Sequence, residues 1–75
     1  MAGARLQING KEVELSRPTP LVDYLAELGV DIRAVAVEVD GEILPREQVK
    51  SHVLQGGQVV EIVRMVGGGH LNIQA

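Results

Sequence analysis

The sequence contains no cysteine, no phenylalanine and no tryptophan, and it has a single tyrosine, Tyr24. Without cysteine, the chain cannot form a disulfide framework, a thiolate zinc site, an iron–sulfur site or a cysteine nucleophile. Without several aromatic rings, it cannot build a stacking platform for nucleic-acid bases. Its fold must therefore rest on aliphatic side chains.

Long apolar runs and net positive charge are also missing. The net charge of −3 argues against nucleic acid or an anionic membrane surface as the main partner. No apolar run approaches the ~20 residues that span a bilayer, and the amino terminus has no apolar signal core. The 75 residues, 45% of them hydrophobic, suit one small domain. We expect a cytoplasmic protein without a cofactor and without a deep catalytic pocket.

Alternating apolar residues and turn dipeptides predict two β-hairpins. In the first fifteen residues, apolar and polar side chains alternate on either side of Asn9-Gly10, which is the strongest two-residue hairpin signal. Residues 35–39 alternate before Asp40-Gly41, and Pro45 confines the short apolar run at residues 42–44 to a sheet edge or a strand end.

One main helix is predicted between the two hairpins. Leu21, Leu25 and Leu28 recur at helical spacing and form an apolar stripe. Thr19 is the expected N-cap, and Gly29 is the expected C-terminal stop.

The last strand completes the predicted sheet. The run from Val59 to Val66 is apolar except for Glu61 and Arg64, which is typical of a central strand buried on both faces. Residues 46–54 fit either one helical turn or an irregular edge strand. The element order predicts an α+β domain over residues 1–66, with one main helix packed on one face of a mixed sheet.

Gly67-Gly68-Gly69 follow the last strand directly. Glycines contribute no side chain to packing and lose the most backbone entropy on ordering. One interpretation of residues 67–69 is therefore a flexible end or linker. The other is a thin tail that threads into a partner's active site, since four extended residues span about 14 Å.

Four segments together carry a family resemblance. They are LQINGKEV at 6–13, LVDYLAELG at 21–29, VAVEVDG at 35–41 and GQVVEIVRMVGGG at 57–69. In this order and spacing they resemble the ThiS sulfur carriers of the ThiS/MoaD group, whose fold is the ubiquitin-like β-grasp. The resemblance covers residues 4–69, and the short helix and the Val-Gly-Gly-Gly ending are more similar to ThiS than to MoaD.

The resemblance implies a chemistry at the tail. The carboxylate of Gly69, or alternatively of Gly68, would be adenylated from ATP by a ThiF-like enzyme. A sulfur donor protein would then supply sulfur, and the resulting thiocarboxylate would serve a ThiG-like thiazole synthase in thiamine biosynthesis. The tail made of Val66, Gly67, Gly68 and Gly69 would enter the channel of each partner.

The residue types present in the chain also favour a carrier protein over an enzyme. A carboxylate is a poor electrophile, so its activation must come from outside. The glycine run is not followed by Lys-Ser or Lys-Thr, so it is not a nucleotide-binding loop. The chain also lacks a thiol that could hold sulfur.

The sequence departs from the family in the extension at residues 70–75, which reads HLNIQA. An internal glycine has no free carboxylate and cannot be adenylated. Three explanations stay open: a processing protease removes the six residues, the chain is inactive as it stands, or the extension is not native.

The remaining polar residues offer weaker signals of function. Glu61 and Arg64 are either ordinary surface charges or contacts to a partner beside the tail. The sequence spacing of His52 and His70 does not favour a metal site. The carboxylates at positions 23 and 27 are expected on a solvated helix face.

Three rival functions remain beside the thiamine carrier. A related carrier could serve molybdopterin, cysteine or a secondary metabolite. A ubiquitin-like modifier would instead join its terminal glycine to a lysine of a target protein, and a plain interaction module would use the glycines only as a linker.

Overall fold

The computed structural model describes residues 3–66 and 70–73. Along the chain its elements are β1 Ala4–Ile8, β2 Lys11–Leu15, β3 Thr19–Pro20, α1 Leu21–Glu27, a 3₁₀ turn Ile32–Ala34, β4 Val35–Val39, β5 Glu42–Ile43, α2 Arg46–Ser51, β6 Val53–Leu54, β7 Val59–Val66 and β8 His70–Ile73.

The main sheet is mixed and has β7 at its centre. Its strand order is β2-β1-β7-β4-β5, and β8 pairs with β7. Strand β7 runs parallel to β1 and antiparallel to β4 and β8. A separate antiparallel pair joins β3 to β6. The predicted central position of the last strand is confirmed, and this strand pairs in parallel with the first.

Both hairpin turns have the predicted geometry. Asn9 and Gly10 have φ of +52° and +80°, and Asp40 and Gly41 have φ of +52° and +87°. Positive φ at both central residues is what a type I′ turn requires. The Asp40 carboxylate also accepts a hydrogen bond from the backbone N–H of Val59 at 2.9 Å, which ties the second turn to β7.

Helix α1 begins differently from the prediction. The Thr19 hydroxyl does not cap it but donates to the carbonyl of Arg17 at 2.9 Å. Thr19 and Pro20 are extended because they pair with β6, and the N–H of Leu21 donates to the His52 carbonyl at 2.9 Å. A partner strand has therefore taken the place of a side-chain cap.

The end of α1 is as predicted, with one exception. Gly29 has φ of +73°, and the N–H groups of Gly29 and Val30 donate to the carbonyls of Ala26 and Leu25, which is a Schellman ending. Leu28 belongs to the predicted apolar stripe, but it is 52% exposed. The helix ends at Glu27, so Leu28 lies at the helix end and not over the core.

The core lies on one face of the sheet. Leu21, Leu25 and Val49 from the two helices pack in one cluster with Val37 and Val60 of the central strands. Residues 46–54, left open by the sequence, form α2 followed by β6.

The prediction that β7 is buried on both faces is wrong. Val60 and Ile62 are buried, but Val59 is 43% exposed and Glu61 is half-buried. Both described α-helices contribute to the cluster on the other face, so the face that carries Glu61 stays partly open.

Candidate functional site

The candidate site is the carboxyl end of β7, the root of the predicted tail. Val66 is the last residue of β7. Gly67, Gly68 and Gly69, the predicted tail, lie outside the described residues. The structure therefore describes the backbone that presents the tail and the surfaces beside it.

One edge of β7 is held by β4. The register pairs Val35 with Arg64, and the preceding 3₁₀ turn also contacts β7. Asp31 is the N-cap of that turn, and its carboxylate accepts hydrogen bonds from the backbone N–H of Arg33 at 2.9 Å and from the Arg33 guanidinium at 3.2 Å. These bonds to Arg33 lower the pKa of Asp31, and they raise the pKa of Arg33.

The other edge of β7 is held first by β1 and then by a side chain. The N–H of Asn9 donates to the Val60 carbonyl at 2.9 Å. The Asn9 side chain then accepts from the N–H of Ile62 at 2.7 Å and donates to the Ile62 carbonyl at 3.4 Å. An amide side chain thus continues the ladder by one residue after β1 has turned away.

Sequence reasoning missed this role of Asn9. It identified Asn9 only as a turn residue, because the hydrogen-bond partner Ile62 is 53 positions away. No local pattern reports a contact of that range.

Glu61 and Arg64, the predicted partner contacts, lie on opposite faces of β7 because three positions separate them. Glu61 is on the open face, directly opposite Glu38 in the ladder. Val63 and Met65 share that face and are half-buried. Among residues 3–65, whose side chains the structure describes, neither Glu38 nor Glu61 forms an ion pair.

Arg64 is on the helix side, where it lines a shallow groove of about 260 Å³. Tyr24, Leu28 and Val30 form much of the apolar wall, and Lys11 adds a second positive charge. The two predicted contacts therefore belong to two different surfaces at the root of the tail.

The other polar residues discussed above do not lie together at this site. The His52 ring lies 3.3 Å from the Gln58 side-chain oxygen and hydrogen-bonds with it. The described part of the chain holds no group of three or more residues able to bind a metal. Asp23 and Glu27 are exposed on the helix, as predicted. Among the described residues, no helix is long and apolar enough to cross a membrane.

Comparisons with known proteins agree with the fold and the position of the site. The ThiS family model matches residues 4–69. The sulfur carrier protein ThiS of Bacillus subtilis is 38% identical over 65 residues, which are 85% of this chain and 98% of that protein. A thiazole synthase of Paramagnetospirillum magneticum is 42% identical over 65 residues. The match covers 87% of this chain but only 20% of that synthase, so this chain spans about a fifth of its length.

A solved structure agrees with these matches. The crystal structure of the thiamine biosynthesis protein ThiS from Geobacter metallireducens superposes with a TM-score of 0.71 at 31% identity, covering 87% of this chain and 99% of that one. The predicted β-grasp fold, a mixed sheet with one main helix, is thereby confirmed. The chain belongs to the ThiS family.

Proposed function

We propose that this chain is a sulfur carrier for thiamine biosynthesis, that it acts through a terminal glycine, and that it is not itself a catalyst. The observation that carries the proposal is the match to the ThiS family, which ends at residue 69, the last of the three glycines that follow β7. This end point supports Gly69 as the carrier terminus, with Gly68 as the alternative.

The chemistry begins with activation of the terminal carboxylate by a ThiF-like enzyme. The ionised carboxylate attacks the α-phosphorus of ATP, pyrophosphate leaves, and an acyl adenylate forms at the glycine. A hydrosulfide ion supplied by a sulfur donor protein then attacks the acyl carbon, AMP leaves, and the resulting thioacid loses its proton. The product is a thiocarboxylate, with sulfur in place of one carboxylate oxygen.

The contribution of the fold to this chemistry is to position the carboxyl end of β7. Strand β7 is anchored on one edge by β4 and on the other by β1 and Asn9, so the sheet fixes the position from which the glycines continue. Glycines without side chains then let the reactive end enter a narrow channel. Because ATP is the activating substrate, we place the protein in the cytoplasm.

A ThiG-like thiazole synthase is the proposed recipient of the sulfur. The thiazole synthase of Paramagnetospirillum magneticum contains a stretch similar to this chain. A carrier-like segment and the synthase therefore occur there in one polypeptide, which supports a direct encounter between the corresponding partners here.

The surfaces beside the tail are the proposed docking sites. The open face offers Val63 and Met65 with the facing carboxylates of Glu38 and Glu61. A basic group of the partner would relieve the repulsion between these carboxylates. Arg64, on the opposite face, would bind an acidic group in the same manner.

ATP–pyrophosphate exchange with a ThiF-like enzyme tests the proposal. A chain that ends at Gly69 should support exchange, whereas the 75-residue chain should not, because its only α-carboxylate is on Ala75. In that chain several side chains would have to enter a channel sized for glycine, and each misfit costs about 1–3 kcal/mol in a rigid site. A processing protease is then needed to release the active form.

Substitution at Gly68 provides the control for the tail. In the chain that ends at Gly69, Gly68→Ala should slow exchange while the unfolding transition stays unchanged. Equal exchange by the 69-residue and 75-residue chains would refute the need for trimming. A covalent conjugate to a lysine of another protein would instead indicate a modifier.

A further inference from the structure

Helix α1 is too short to cover the sheet on which it packs. Its seven residues span about 10 Å, whereas the eight residues of β7 span about 26 Å. Leu28 and Val30 lie at the carboxyl end of the helix and, together with Tyr24, form one wall of the groove that Arg64 also lines. The groove is therefore a part of the core face that the helix leaves uncovered, and Leu28 is 52% exposed there.

The size of the groove suits side chains of another protein. Three adjacent strands line it with apolar side chains, those of Ile8, Val13 and Ile62. Its volume of about 260 Å³ lies below the roughly 300–1,000 Å³ that is usual for small-molecule sites. One inserted apolar side chain with its neighbours is therefore a better match than a drug-sized ligand.

The charge of the groove is positive only. Lys11 and Arg64 are exposed on it, and among residues 3–65 no carboxylate lines it. Within the same residues, neither cation forms an ion pair. The neighbouring Glu12 pairs with Arg5 on the opposite face of the sheet. In a chain with a net charge of −3 the groove is a local exception, and it is complementary to an acidic partner.

The sheet register sets the distance between the two cations. Lys11 pairs with Ile8, and Ile8 pairs with Val60, so the three residues lie in one row across adjacent strands. This row places the Cα atoms of Lys11 and Val60 about 10 Å apart. Arg64 lies about 13 Å farther along β7, beyond Ile62 on the same face. The Cα atoms of Lys11 and Arg64 are therefore about 16 Å apart, with apolar surface between them.

An extended segment with an acid-x-apolar-x-acid pattern matches this arrangement. Residues i, i+2 and i+4 of an extended chain point to the same side. Residues i and i+4 lie about 13–14 Å apart, and the long lysine and arginine side chains bridge the remaining distance. Each carboxylate then meets one cation, and the apolar side chain between them enters the groove.

We propose that the groove between Lys11 and Arg64 binds an extended acidic segment of a partner protein, with this acid-x-apolar-x-acid pattern. The helix side then selects an acidic segment, whereas the open face with Glu38 and Glu61 selects basic groups. That the segment belongs to the enzyme that receives the tail rests on the proposed function, since at most about 18 Å of chain separates Arg64 from Gly69. The binding of an acidic segment does not rest on it.

An NMR titration of the full 75-residue chain tests the site. The probe is the capped peptide acetyl-Glu-Ser-Leu-Ser-Glu-amide. It should shift the backbone amide signals of Lys11, Leu28 and Arg64 and leave those of Ala36 and Glu38, on the open face, unchanged. A control peptide with lysine in place of both glutamates should not bind. A second control with serine in place of leucine should bind several-fold more weakly, because nothing apolar enters the groove.

Lys11→Gln and Lys50→Gln form a matched pair of variants. Both remove one positive charge from an exposed lysine, but Lys50 lies on α2 and does not line the groove. Lys11→Gln should weaken binding of the acidic peptide about two- to fivefold, which is the effect of losing one exposed ion pair. Arg64→Gln should have a similar effect, and Lys50→Gln should leave the affinity unchanged.

Any of four results would overturn the proposal. The first is the absence of shifts at millimolar peptide, and the second is a set of shifts confined to the open face. The third is equal weakening by Lys11→Gln and Lys50→Gln, because the effect would then come from net charge. The fourth is a Leu28 signal that moves with protein concentration alone, because a second copy would then occupy the groove. Failure of the proposed sulfur chemistry would leave the titration unchanged.

Discussion

Asn9 shows how one residue can serve a local and a distant purpose. Its φ of +52° lets it form the first hairpin turn, a conformation that asparagine tolerates better than most residues. From this position its amide bonds both backbone groups of Ile62. The turn and the root of the tail are therefore joined through one side chain.

The substitution Asn9→Gly tests these two roles separately. Glycine accepts the positive φ, so the substitution removes the side-chain hydrogen bonds without straining the turn. We expect a loss of about 1–3 kcal/mol in the free energy of unfolding, because the N–H and C=O of Ile62 lose their partner. Urea unfolding measures this loss, and stability equal to that of the unchanged chain would contradict the role of Asn9.

Glu61 is the residue for which stability and binding should change in opposite directions. It faces Glu38 across the ladder, and like charges directly opposite each other are destabilising. Glu61→Gln should therefore raise the free energy of unfolding by a few tenths to about 1 kcal/mol. The same change should weaken binding of the 69-residue chain to the ThiF-like enzyme.

Glu27→Gln is the matched control for that experiment. It removes the same charge from an exposed helix position away from β7. If Glu27→Gln weakens binding as much as Glu61→Gln does, the effect comes from net charge and not from the open face.

At the scale of elements, helix α1 depends on very few residues. It has seven residues, fewer than an isolated helix needs for stability in water. Its amino end is held by the strand pair β3–β6, and its carboxyl end closes at Gly29. Only Leu21 and Leu25 are fully buried, so they supply most of its contact with the sheet.

Two leucines of this stripe provide a matched pair of substitutions. Leu25 is 1% exposed and Leu28 is 52% exposed. Leu25→Ala should cost about 2–5 kcal/mol of unfolding free energy, because it leaves a cavity in the core. Leu28→Ala and Asp23→Ala should change it by only about 0.5 kcal/mol.

Denaturant unfolding of these three variants tests the assignment of the helix face. Comparable losses for Leu25→Ala and Leu28→Ala would show that the helix packs with a different face toward the sheet.

The elements were predictable where local chemistry decides the structure. Asn9-Gly10, Asp40-Gly41 and Gly29 adopt positive φ as their residue types predict. The prediction failed at Thr19, where pairing with β6 displaced the expected cap, and at Leu28, where the helix ended one residue earlier. Both errors have the same origin. The spacing of apolar residues along the sequence does not report pairing between distant strands or the residue at which a helix ends.

The candidate site was only partly predictable for the same reason. The sequence identified the last strand, the glycines and the charged pair Glu61 and Arg64. It could not place these two charges relative to Glu38 or to the groove, since that depends on sheet register. Pairing of residues 70–73 with β7 was also beyond the sequence pattern.

At the scale of the whole molecule, residues 3–66 form one small domain that presents the carboxyl end of its central strand. The open face and the groove lie on opposite sides of β7. Two partners could therefore recognise different faces and still receive the same tail.

The most direct test of the central claim is the mass of the carrier after sulfur transfer. The chain ending at Gly69 is incubated with a ThiF-like enzyme, ATP and a sulfur donor, and its carboxyl-terminal fragment is analysed by mass spectrometry. We predict the mass increase that corresponds to one sulfur replacing one oxygen at Gly69, and no such increase in the 75-residue chain. An unmodified Gly69, under conditions in which the same enzyme converts its own carrier, would contradict the claim.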